Sequence, residues 1–359
     1  MKYMLKQASI LLFCAAVLLI SKTAFAQATK SASTAPMLDR ELFFGDPEIS
    51  GAQLSPDGKF IAFVKPYKGT RNIWVKKTDE PFDAAKPVTN DQRRPVTNYF
   101  WSRDGKYILF SQDKGGDENY NVYAVNPSIT GAEVPPARNL TDAQGVRAFI
   151  YAVPKSDTDT IYVGLNDRDS SWHDLYKVKI STGQRTLIRQ NTGQVSGWLF
   201  DQKDQLRLAT HTAENGDTEI LRVTPEGLVK IYSCNVFESC SPVRFHKDNK
   251  RVYLVTSKGA DDLMRLSLLD TDTSKEELVE ADPANRVDFG DTIFSDLTDE
   301  LIGTVYEDER ARVYWRDKSY EADYKLLQSK LPNKEISFGS ATTDEKLWLI
   351  TASSDTEPG

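Results

Sequence analysis

The sequence predicts an all-β protein, a β-propeller of four-stranded antiparallel blades, with seven blades expected and the last one incomplete. Three observations support this fold class. A hairpin pattern recurs seven times, a second alternating segment follows six of the copies, and the copies are spaced by about the length of one blade. Strand-favouring Tyr, Phe, Val and Thr are abundant, and turn residues are spread evenly between them.

Each hairpin copy consists of a short strand, a polar turn and an alternating apolar strand. The clearest copies are LSPDGKFIAFV from Leu54 to Val64 and WSRDGKYILFS from Trp101 to Ser111. Asp-Gly between two such runs is a strong hairpin signal, because these residues tolerate the positive φ of a tight turn. The seven turn acids are Asp57, Asp104, Asp157, Asp204, Asp248, Asp299 and Asp344. Successive acids lie 47, 53, 47, 44, 51 and 45 residues apart, with the registers at Asp204 and Asp299 open by a few residues.

A second alternating segment lies about 15 to 20 residues beyond six of the turns and is typical of the third strand of a blade. These segments are NIWVKK from Asn72, NVYAVN from Asn121, DLYKVK from Asp174, EILRVT from Glu219, DLMRLS from Asp262 and ARVYWR from Ala311. Seven hairpins and six third strands predict six full blades and part of a seventh.

One segment departs from the strand pattern. In SYEADYKLLQSKL, from Ser319 to Leu331, the residues Tyr320, Tyr324 and Leu327 recur at helical spacing. This periodicity predicts a short amphipathic helix inserted in the sixth blade, where it covers that blade's outer edge.

The N-terminus has the pattern of a secretory signal peptide. Lys2 and Lys6 precede an apolar run from Ile10 to Ile20, which is too short for a permanent membrane helix, and Ala24-Phe25-Ala26 follows as a cleavage site. The protein is therefore expected to be periplasmic or secreted. The expected organisation is a signal peptide at 1–26, a lead-in segment at 27–48 and a propeller at 49–359.

Charge narrows the range of partners. Removal of the signal peptide takes away Lys2, Lys6 and Lys22 and no acid, so the formal net charge changes from −7 to −10. The remaining Lys and Arg are scattered along the chain. An acidic chain without a basic patch argues against nucleic acid and against an anionic membrane as partners.

The C-terminal end of the sequence falls inside a blade. The last hairpin strand, Lys346 to Thr351, is followed only by SSDTEPG, which is too short for a third and a fourth strand. Natural proteins avoid leaving an inner strand pair with an unpaired edge. Gly359 is therefore expected to be a truncation point. The alternative is that Met37 to Ile49 supplies closing strands, although DRELFFGDPE is typical of a short helix or turn.

Cys234 and Cys240 are the two cysteines outside the predicted signal peptide. An even pair in an oxidising compartment, six positions apart at a junction between blades, predicts a disulfide. The alternative is two free thiols.

No residue is assigned to catalysis, to a cofactor or to a metal. His173, His211 and His246 lie at no metal-ligand spacing and are interpreted as structural or surface residues. In Gly193-Gln-Val-Ser-Gly197 the serine stands one position too late for a Gly-x-Ser-x-Gly elbow.

Two further features have simpler explanations than ligand binding. The acidic loop from Asp113 to Glu118, with Asn119 and Tyr120, is a candidate site for a cation or a substrate amine, but a solvated turn with its Gly115-Gly116 bend is the preferred explanation. The six tryptophans lie on or beside predicted strands, so packing between blades accounts for them.

Three segments together resemble a known family. They are FFGDPEISGAQLSPDGKFIAFV (Phe43 to Val64), GGDENYNVYAVN (Gly115 to Asn126) and SWHDLYKVKISTG (Ser171 to Gly183). The chain resembles the N-terminal β-propeller of prolyl oligopeptidase-family serine peptidases, in the bacterial secreted dipeptidyl-peptidase and acylaminoacyl-peptidase branch. This resemblance implies an α/β-hydrolase domain with a Ser-Asp-His triad after the propeller. That domain is absent from this sequence, so none of its catalytic residues is carried over.

The resemblance implies a non-catalytic propeller that gates the access of peptides to the hydrolase domain and is inactive alone. Its expected partners are that C-terminal α/β-hydrolase domain and a peptide substrate. The alternative is a stand-alone periplasmic propeller that mediates protein–protein interaction. A propeller enzyme with metal ligands in its central channel is a third hypothesis, which the three histidines disfavour.

Propeller topology predicts two different faces. The turns at Asp57, Asp104 and their equivalents lie on one face, here called the hairpin face. Loops between second and third strands lie on the other, the loop face, where the chain also enters the first blade and leaves the last. A C-terminal domain is therefore expected to dock on the loop face, in contact with the loops at 65–71, 112–119, 166–173 and 211–217.

Overall fold

The computed structural model describes residues 37–96, 98–259 and 262–357. The predicted signal peptide at 1–26 lies outside these residues. The chain divides into two units, Met1–Pro47 and Glu48–Gly359. In the first unit, the described residues form a one-turn helix, α1 (Glu41–Phe44), and the Glu41 amide donates to the Asp39 carboxylate at 3.0 Å. The second unit consists mainly of antiparallel sheets.

Each sheet is one blade, and its strands follow each other in chain order. Blade 1 consists of β1 (Ser50–Leu54), β2 (Phe60–Tyr67), β3 (Thr70–Lys77) and β4 (Lys86–Pro87). Blade 2 consists of β5 (Tyr99–Trp101), β6 (Ile108–Gln112), β7 (Asn121–Val125) and β8 (Ala137–Asn139). Blade 3 consists of β9 (Ala148–Ala152), β10 (Thr160–Asp169), β11 (Trp172–Lys179) and β12 (Arg185–Arg189). Blade 4 consists of β13 (Val195–Phe200), β14 (Leu206–Thr212), β15 (Thr218–Thr224) and β16 (Gly227–Cys234).

The remaining blades are shorter. Blade 5 consists of β17 (Cys240–Phe245), β18 (Arg251–Thr256), β19 (Arg265–Asp270) and β20 (Glu276–Glu280). Blade 6 consists of β21 (Asp291–Phe294), β22 (Leu301–Glu307) and β23 (Ala311–Trp315). Blade 7 consists of β24 (Glu335–Ala341) and β25 (Trp348–Ser353).

The propeller class is confirmed, and all seven hairpins and six third strands lie where the sequence predicts them. Within the described residues, five sheets have four strands, one has three and one has two. The expectation of six full blades is therefore wrong for blade 6. Its chain leaves β23 directly into the helix α2 (Lys318–Lys330), because the Asp317 carboxylate accepts the Ser319 amide at 2.8 Å and caps the helix.

The first strand of each blade lies near the central axis. β13 packs against β9 and β17, the first strands of its two neighbours, and β1 packs against both strands of blade 7. The Leu54 amide donates to Ser340 Oγ at 2.7 Å, and the Thr343 amide donates to the Pro56 carbonyl at 2.8 Å. The two-stranded seventh sheet thus lies directly beside blade 1 and closes the ring.

Successive side chains of each strand point alternately to the two neighbouring blades and so form the interfaces between blades. In β6, Ile108 and Phe110 are buried against blade 1, whereas Leu109 between them is buried against blade 3. Successive side chains of a strand point to opposite faces, so one strand serves two interfaces. Buried clusters of this kind fill each junction from blades 1–2 to blades 5–6.

The junction of blades 6 and 7 is built differently, around α2. Tyr320 stacks on Trp315 of blade 6 at 6.1 Å between ring centroids and meets Trp348 of blade 7 edge-on at 5.9 Å. Tyr324 lies between Trp315 and Phe338 of the same two blades. The predicted helix is present, but the expectation that it only covers the outer edge of blade 6 is wrong, because its aromatic face packs against both blades.

The hairpin turns share one hydrogen-bond pattern in blades 1, 2 and 7. In blade 1, Ser55 Oγ donates to Asp57 Oδ1 at 2.7 Å and accepts the Phe60 amide at 2.9 Å, while Asp57 Oδ1 also accepts the Lys59 amide. The following Gly58 has φ +71°, a conformation that costs glycine little. Ser102-Asp104 and Thr342-Asp344 repeat the pattern.

Candidate functional site at the mouth of the central channel

Hydrogen bonds between hairpin turns and first strands join every pair of neighbouring blades at the hairpin face. They run from Gln53 to the Tyr99 carbonyl, Arg103 to the Val153 carbonyl, Ser156 to the Asp204 carboxylate, Gln202 to the Asn249 side chain, Lys247 to Glu300, Leu297 to Glu345 and Thr343 to the Pro56 carbonyl. Because these bonds include both junctions of blade 7, that blade is part of a continuous ring at this face.

A cluster of charged side chains spans the mouth of the channel on the hairpin face. Lys155 Nζ, from blade 3, lies 2.6 Å from Asp299 Oδ1 and 2.7 Å from the Asp296 carbonyl oxygen, both in blade 6. Arg244 of blade 5 pairs with both aspartates, at 3.2 Å from Asp296 Oδ1. Arg103 of blade 2 lies 3.9 Å from Asp296 Oδ2. Residues of four blades therefore meet in this channel-mouth cluster.

The cluster is held in place by packing. The Arg244 guanidinium lies over the Phe294 ring, 4.9 Å from its centroid, in a cation–π arrangement. Lys155, Arg244 and Asp299 are partly shielded from solvent, whereas Asp296 is exposed; partial shielding strengthens a charge-assisted hydrogen bond relative to one at an exposed surface. Within the cluster, three cations face two carboxylates.

A cavity of about 420 Å³ opens beside this cluster. Blades 1 and 2 contribute apolar wall together with one cation, Arg103, and blades 3 and 6 contribute Lys155 and Asp296; the lining includes Leu54, Pro56, Phe100, Trp101, Arg103, Lys155 and Asp296. Such a wall offers stacking surface, hydrogen-bond donors and one carboxylate. It can hold a peptide segment, but a nucleophile paired with a base is not among its lining residues.

A second cavity, of about 730 Å³, lies between blades 1 and 2 toward the loop face. It contains the start of the acidic loop that the sequence proposes as a cation or amine site. Asp113 is buried and pairs with Arg94 at 3.1 Å, and it also accepts the Glu118 amide. Asp117 accepts the amides of Lys114 and Asn119. The carboxylates of Asp113 and Asp117 are therefore already engaged by Arg94 and by backbone amides of the loop.

The three histidines lie in three different blades. The His173 ring packs against the Phe149 ring in a tilted arrangement, with 4.7 Å between centroids, and burial together with the nearby Arg147 charge lowers the pKa of His173. His211 contacts the Gln194 carbonyl at 3.1 Å, and His246 lies 2.9 Å from Asp248. Across 37–96, 98–259 and 262–357, no three His, Cys, Asp or Glu side chains come together in a way that could bind a metal ion.

The serine of the Gly193–Gly197 segment is Ser196, and it lies in strand β13 rather than on a strand-to-helix turn. Its hydroxyl donates to the Thr210 carbonyl and lies 3.1 Å from Thr210 Oγ1. Among the described residues, no histidine or carboxylate forms a hydrogen bond with the Ser196 hydroxyl. The arrangement has the hydrogen bonds of a cross-strand pair and not those of an activated nucleophile.

Cys234 and Cys240 form a disulfide in the structure, with their Cα atoms 6.0 Å apart. Both cysteines are buried at the junction of blades 4 and 5. The redox state of the two cysteines in the protein as produced stays a prediction, to be tested by thiol labelling.

Comparison with known proteins places this propeller among its relatives. No protein-family profile matches the chain. It is 31% identical over 354 residues to dipeptidyl aminopeptidase BIII of Pseudoxanthomonas mexicana, an alignment that covers 95% of this chain and 50% of that protein. The chain is a homologue of dipeptidyl peptidases. It is also 24% identical over 336 residues to dipeptidyl peptidase family member 6 of Caenorhabditis elegans, with 90% of this chain and 45% of that protein covered.

Among solved structures, oligopeptidase B from Leishmania major is similar to this chain, with a TM-score of 0.46 and 10% sequence identity. The match covers 75% of this chain and 39% of the oligopeptidase B chain. The chain spans about half the length of the curated relatives that it matches. The resemblance drawn from the three sequence segments is confirmed at the level of the family. Among the residues of this chain that the structure describes, no helix is long and apolar enough to cross a membrane.

The sequence of this chain did not predict the channel-mouth cluster. Lys155 and Asp299 are 144 residues apart and belong to blades that are not neighbours. A repeat pattern identifies the turns but not which turn side chains reach across the axis, so no local signal pointed to this pair.

Proposed function

We propose that this propeller is the access-limiting half of a secreted dipeptidyl-peptidase-like serine peptidase. The observation that carries the proposal is the channel-mouth cluster, in a chain that is homologous to dipeptidyl peptidases over 95% of its length. The first relative is about twice as long as the matching part, since only 50% of it is covered. We assign the other half of such a protein to an α/β-hydrolase domain, in agreement with the resemblance.

In this proposal the channel-mouth cluster keeps peptides from entering through the hairpin face. A peptide that passes there must break the hydrogen bonds of Lys155 and Arg244 to the two aspartates. Charge-assisted hydrogen bonds are stronger than neutral ones, so their loss opposes the passage of a peptide. Peptides then reach the hydrolase domain only from the loop face, where the size of the opening between the domains selects them.

The position of the two ends of the propeller supports docking on the loop face. β1 begins at Ser50 and β25 ends at Ser353, and in antiparallel blades both positions are on the side opposite the hairpin turns. Lys114 and Arg93 lie on this side and have no ion-pair partner among the described residues, so they are available to carboxylates of a partner domain. We therefore place the hydrolase domain on the loop face.

The test starts from the reading frame downstream of codon 359. The proposal requires a second half with a Gly-x-Ser-x-Gly elbow, and the longer protein must react stoichiometrically with a fluorophosphonate probe. In that protein the double variant Asp296→Asn/Asp299→Asn opens the channel mouth. We expect turnover of a long peptide to rise several-fold relative to turnover of a dipeptidyl chromogenic substrate.

The matched control is Asp272→Asn, which removes an exposed ion pair with Arg222 on the same face but away from the channel. It is expected to leave the ratio of the two turnover rates unchanged. An unchanged ratio in the double variant would show that the cluster is no barrier to peptides. A downstream frame without a hydrolase would refute the proposed function as a whole.

A further inference from the structure

The most exposed aromatic side chain of the described propeller is at the tip of the disulfide-closed loop. Phe237 is 95% exposed, and Val236 beside it is 58% exposed. The loop joins blade 4 to blade 5 between Cys234 and Cys240. No described residue makes a ring contact with Phe237. A single exposed apolar residue needs no explanation by itself, so the argument rests on how firmly this one is held and where it lies.

Hydrogen bonds hold the loop on both sides of its tip. The Phe237 amide donates to Asn235 Oδ1 at 2.9 Å, and the Asn235 amide donates to Glu238 Oε2 at 3.0 Å. Glu238 Oε1 also accepts the Gly259 amide at 3.1 Å, which attaches the loop to blade 5. The Ser239 amide donates to Ser257 Oγ, and the Ser239 carbonyl accepts the Thr256 hydroxyl.

Packing and the disulfide complete this preorganisation. Cys234 and Cys240 are almost fully buried beneath the loop. Val236 lies against Gly216 of the neighbouring loop, where an added Cβ would stand 3.1 Å from Val236 Cγ2. An aromatic side chain on a fixed backbone loses little entropy on binding, and such residues dominate the energy of protein interfaces.

The position of the loop identifies its partner. The connection between blades 4 and 5 lies on the loop face, on the same side as both ends of the propeller. In the closed ring, where blade 7 packs against blade 1, this connection is across the axis from the junction of blades 7 and 1. A domain that is joined to the propeller beside blades 7 and 1 thus meets Phe237 at its far edge.

We propose that Phe237 is the docking anchor for the second half of the protein, inserting into an apolar depression of the hydrolase domain on the side opposite the covalent connection. This inference rests on the proposed function. Connection and anchor then hold the partner at two opposed points of the ring. Loss of the anchor frees the far edge, and truncation of an aromatic anchor that is buried in an interface commonly weakens binding by a factor on the order of ten.

The experiment uses the longer protein and places 4-cyanophenylalanine at position 237, because its nitrile stretching frequency reports hydration. We expect a dehydrated nitrile at all protein concentrations. Separately, Phe237→Ser is expected to enlarge the radius of gyration in solution and to speed proteolysis between the two halves on the order of tenfold. The control Ile129→Ser removes an exposed apolar side chain from the hairpin face and is expected to change neither. Equal melting temperatures confirm that both variants are folded.

The outcomes separate the two proposals. If no hydrolase is encoded downstream, the proposed function fails and the anchor fails with it. If an active hydrolase is present but the nitrile is hydrated, or Phe237→Ser behaves as the wild type, only the anchor is refuted. A nitrile that becomes dehydrated only as concentration rises, with sedimentation as a dimer, assigns Phe237 to a second copy and also overturns the inference.

Discussion

The packing of blade 7 against blade 1 can be tested by adding one methyl group, through a glycine-to-alanine substitution. Gly58 and Gly105 occupy the same position of the same Ser-x-Asp-Gly turn, with φ of +71° and +68°. An added Cβ at Gly105 meets the nearest atom, Pro56 Cδ, at an ordinary 3.6 Å, whereas at Gly58 it lies 2.9 Å from Thr342 Cγ2 of blade 7. The two alanine variants thus share the backbone penalty and differ in the clash with blade 7.

The magnitudes follow from these two contributions. A non-glycine residue in the left-handed region costs about 1–2 kcal/mol, which is the full effect expected for Gly105→Ala. Gly58→Ala adds overpacking of about 1–3 kcal/mol. Thr342 cannot turn its methyl away freely, because its hydroxyl donates to Asp344 at 2.7 Å and accepts the Leu347 amide at 3.2 Å. Gly58→Ala should therefore lower the free energy of unfolding by at least about 1 kcal/mol more than Gly105→Ala.

Urea unfolding of the mature chain measures both losses, and a third variant makes the test specific. Thr342→Ser removes the methyl group and keeps the hydroxyl, so in that background the extra loss from Gly58→Ala should disappear. Such a double-mutant cycle isolates the contact between blades 1 and 7. Equal losses in Gly58→Ala and Gly105→Ala, with no rescue by Thr342→Ser, would mean that blade 7 does not pack on blade 1 in solution.

Two further predictions concern the cysteines and acid stability. Thiol labelling of the denatured, unreduced protein, produced by export to the periplasm of an expression host, should leave Cys234 and Cys240 unmodified; two labelled thiols would contradict the disulfide. Two hydrogen bonds from Arg312, at 2.8 and 3.0 Å, together with backbone amides, hold the pKa of the Asp282 carboxyl well below its usual value. A lowered folded-state pKa means that this stabilisation is complete above the unfolded value of about 4 and is lost as the pH falls below it. Asp282→Asn should destabilise the protein at pH 7 and flatten the decline of its urea midpoint below about pH 4, whereas an equally steep decline would refute this role.

The parts of the fold that the sequence predicts are those encoded locally. Asp-Gly at 57–58 and at 104–105 places each turn to the residue, since the acid binds the turn amides and the glycine takes the positive φ. In blades 4 and 6, which lack the glycine, Asp204 and Asp299 themselves have positive φ, at 58° and 59°. The predicted anchors there are shifted by one position relative to Asp57, because an aspartate can take either role in the turn.

Features that depend on distant partners were not predictable in this way. The spacing of Tyr320 and Tyr324 indicates a helix, but only the structure shows that its aromatic face meets Trp348 of the next blade. The missing fourth strand of blade 6 has the same origin, since the cap at Asp317 starts the helix where the repeat predicts a strand. Lys155 and Asp299 contact each other only because the ring brings blades 3 and 6 to opposite sides of one channel.

Residues 27–359 by themselves are expected to have no peptidase or esterase activity. Acyl transfer at neutral pH needs an activated nucleophile, a base and an oxyanion hole held together. The Ser196 hydroxyl forms its hydrogen bonds with Thr210 and not with a histidine. The three histidines, His173, His211 and His246, belong to three different blades, and each has its own ring, hydrogen-bond or carboxylate partner. We expect no turnover of dipeptidyl or acylated chromogenic substrates by residues 27–359 and no stoichiometric labelling by a fluorophosphonate. The matched positive control is the longer protein, whose elbow serine should react under the same conditions. Stoichiometric labelling of a propeller serine that a competing peptide prevents would refute the assignment of this chain to the non-catalytic half.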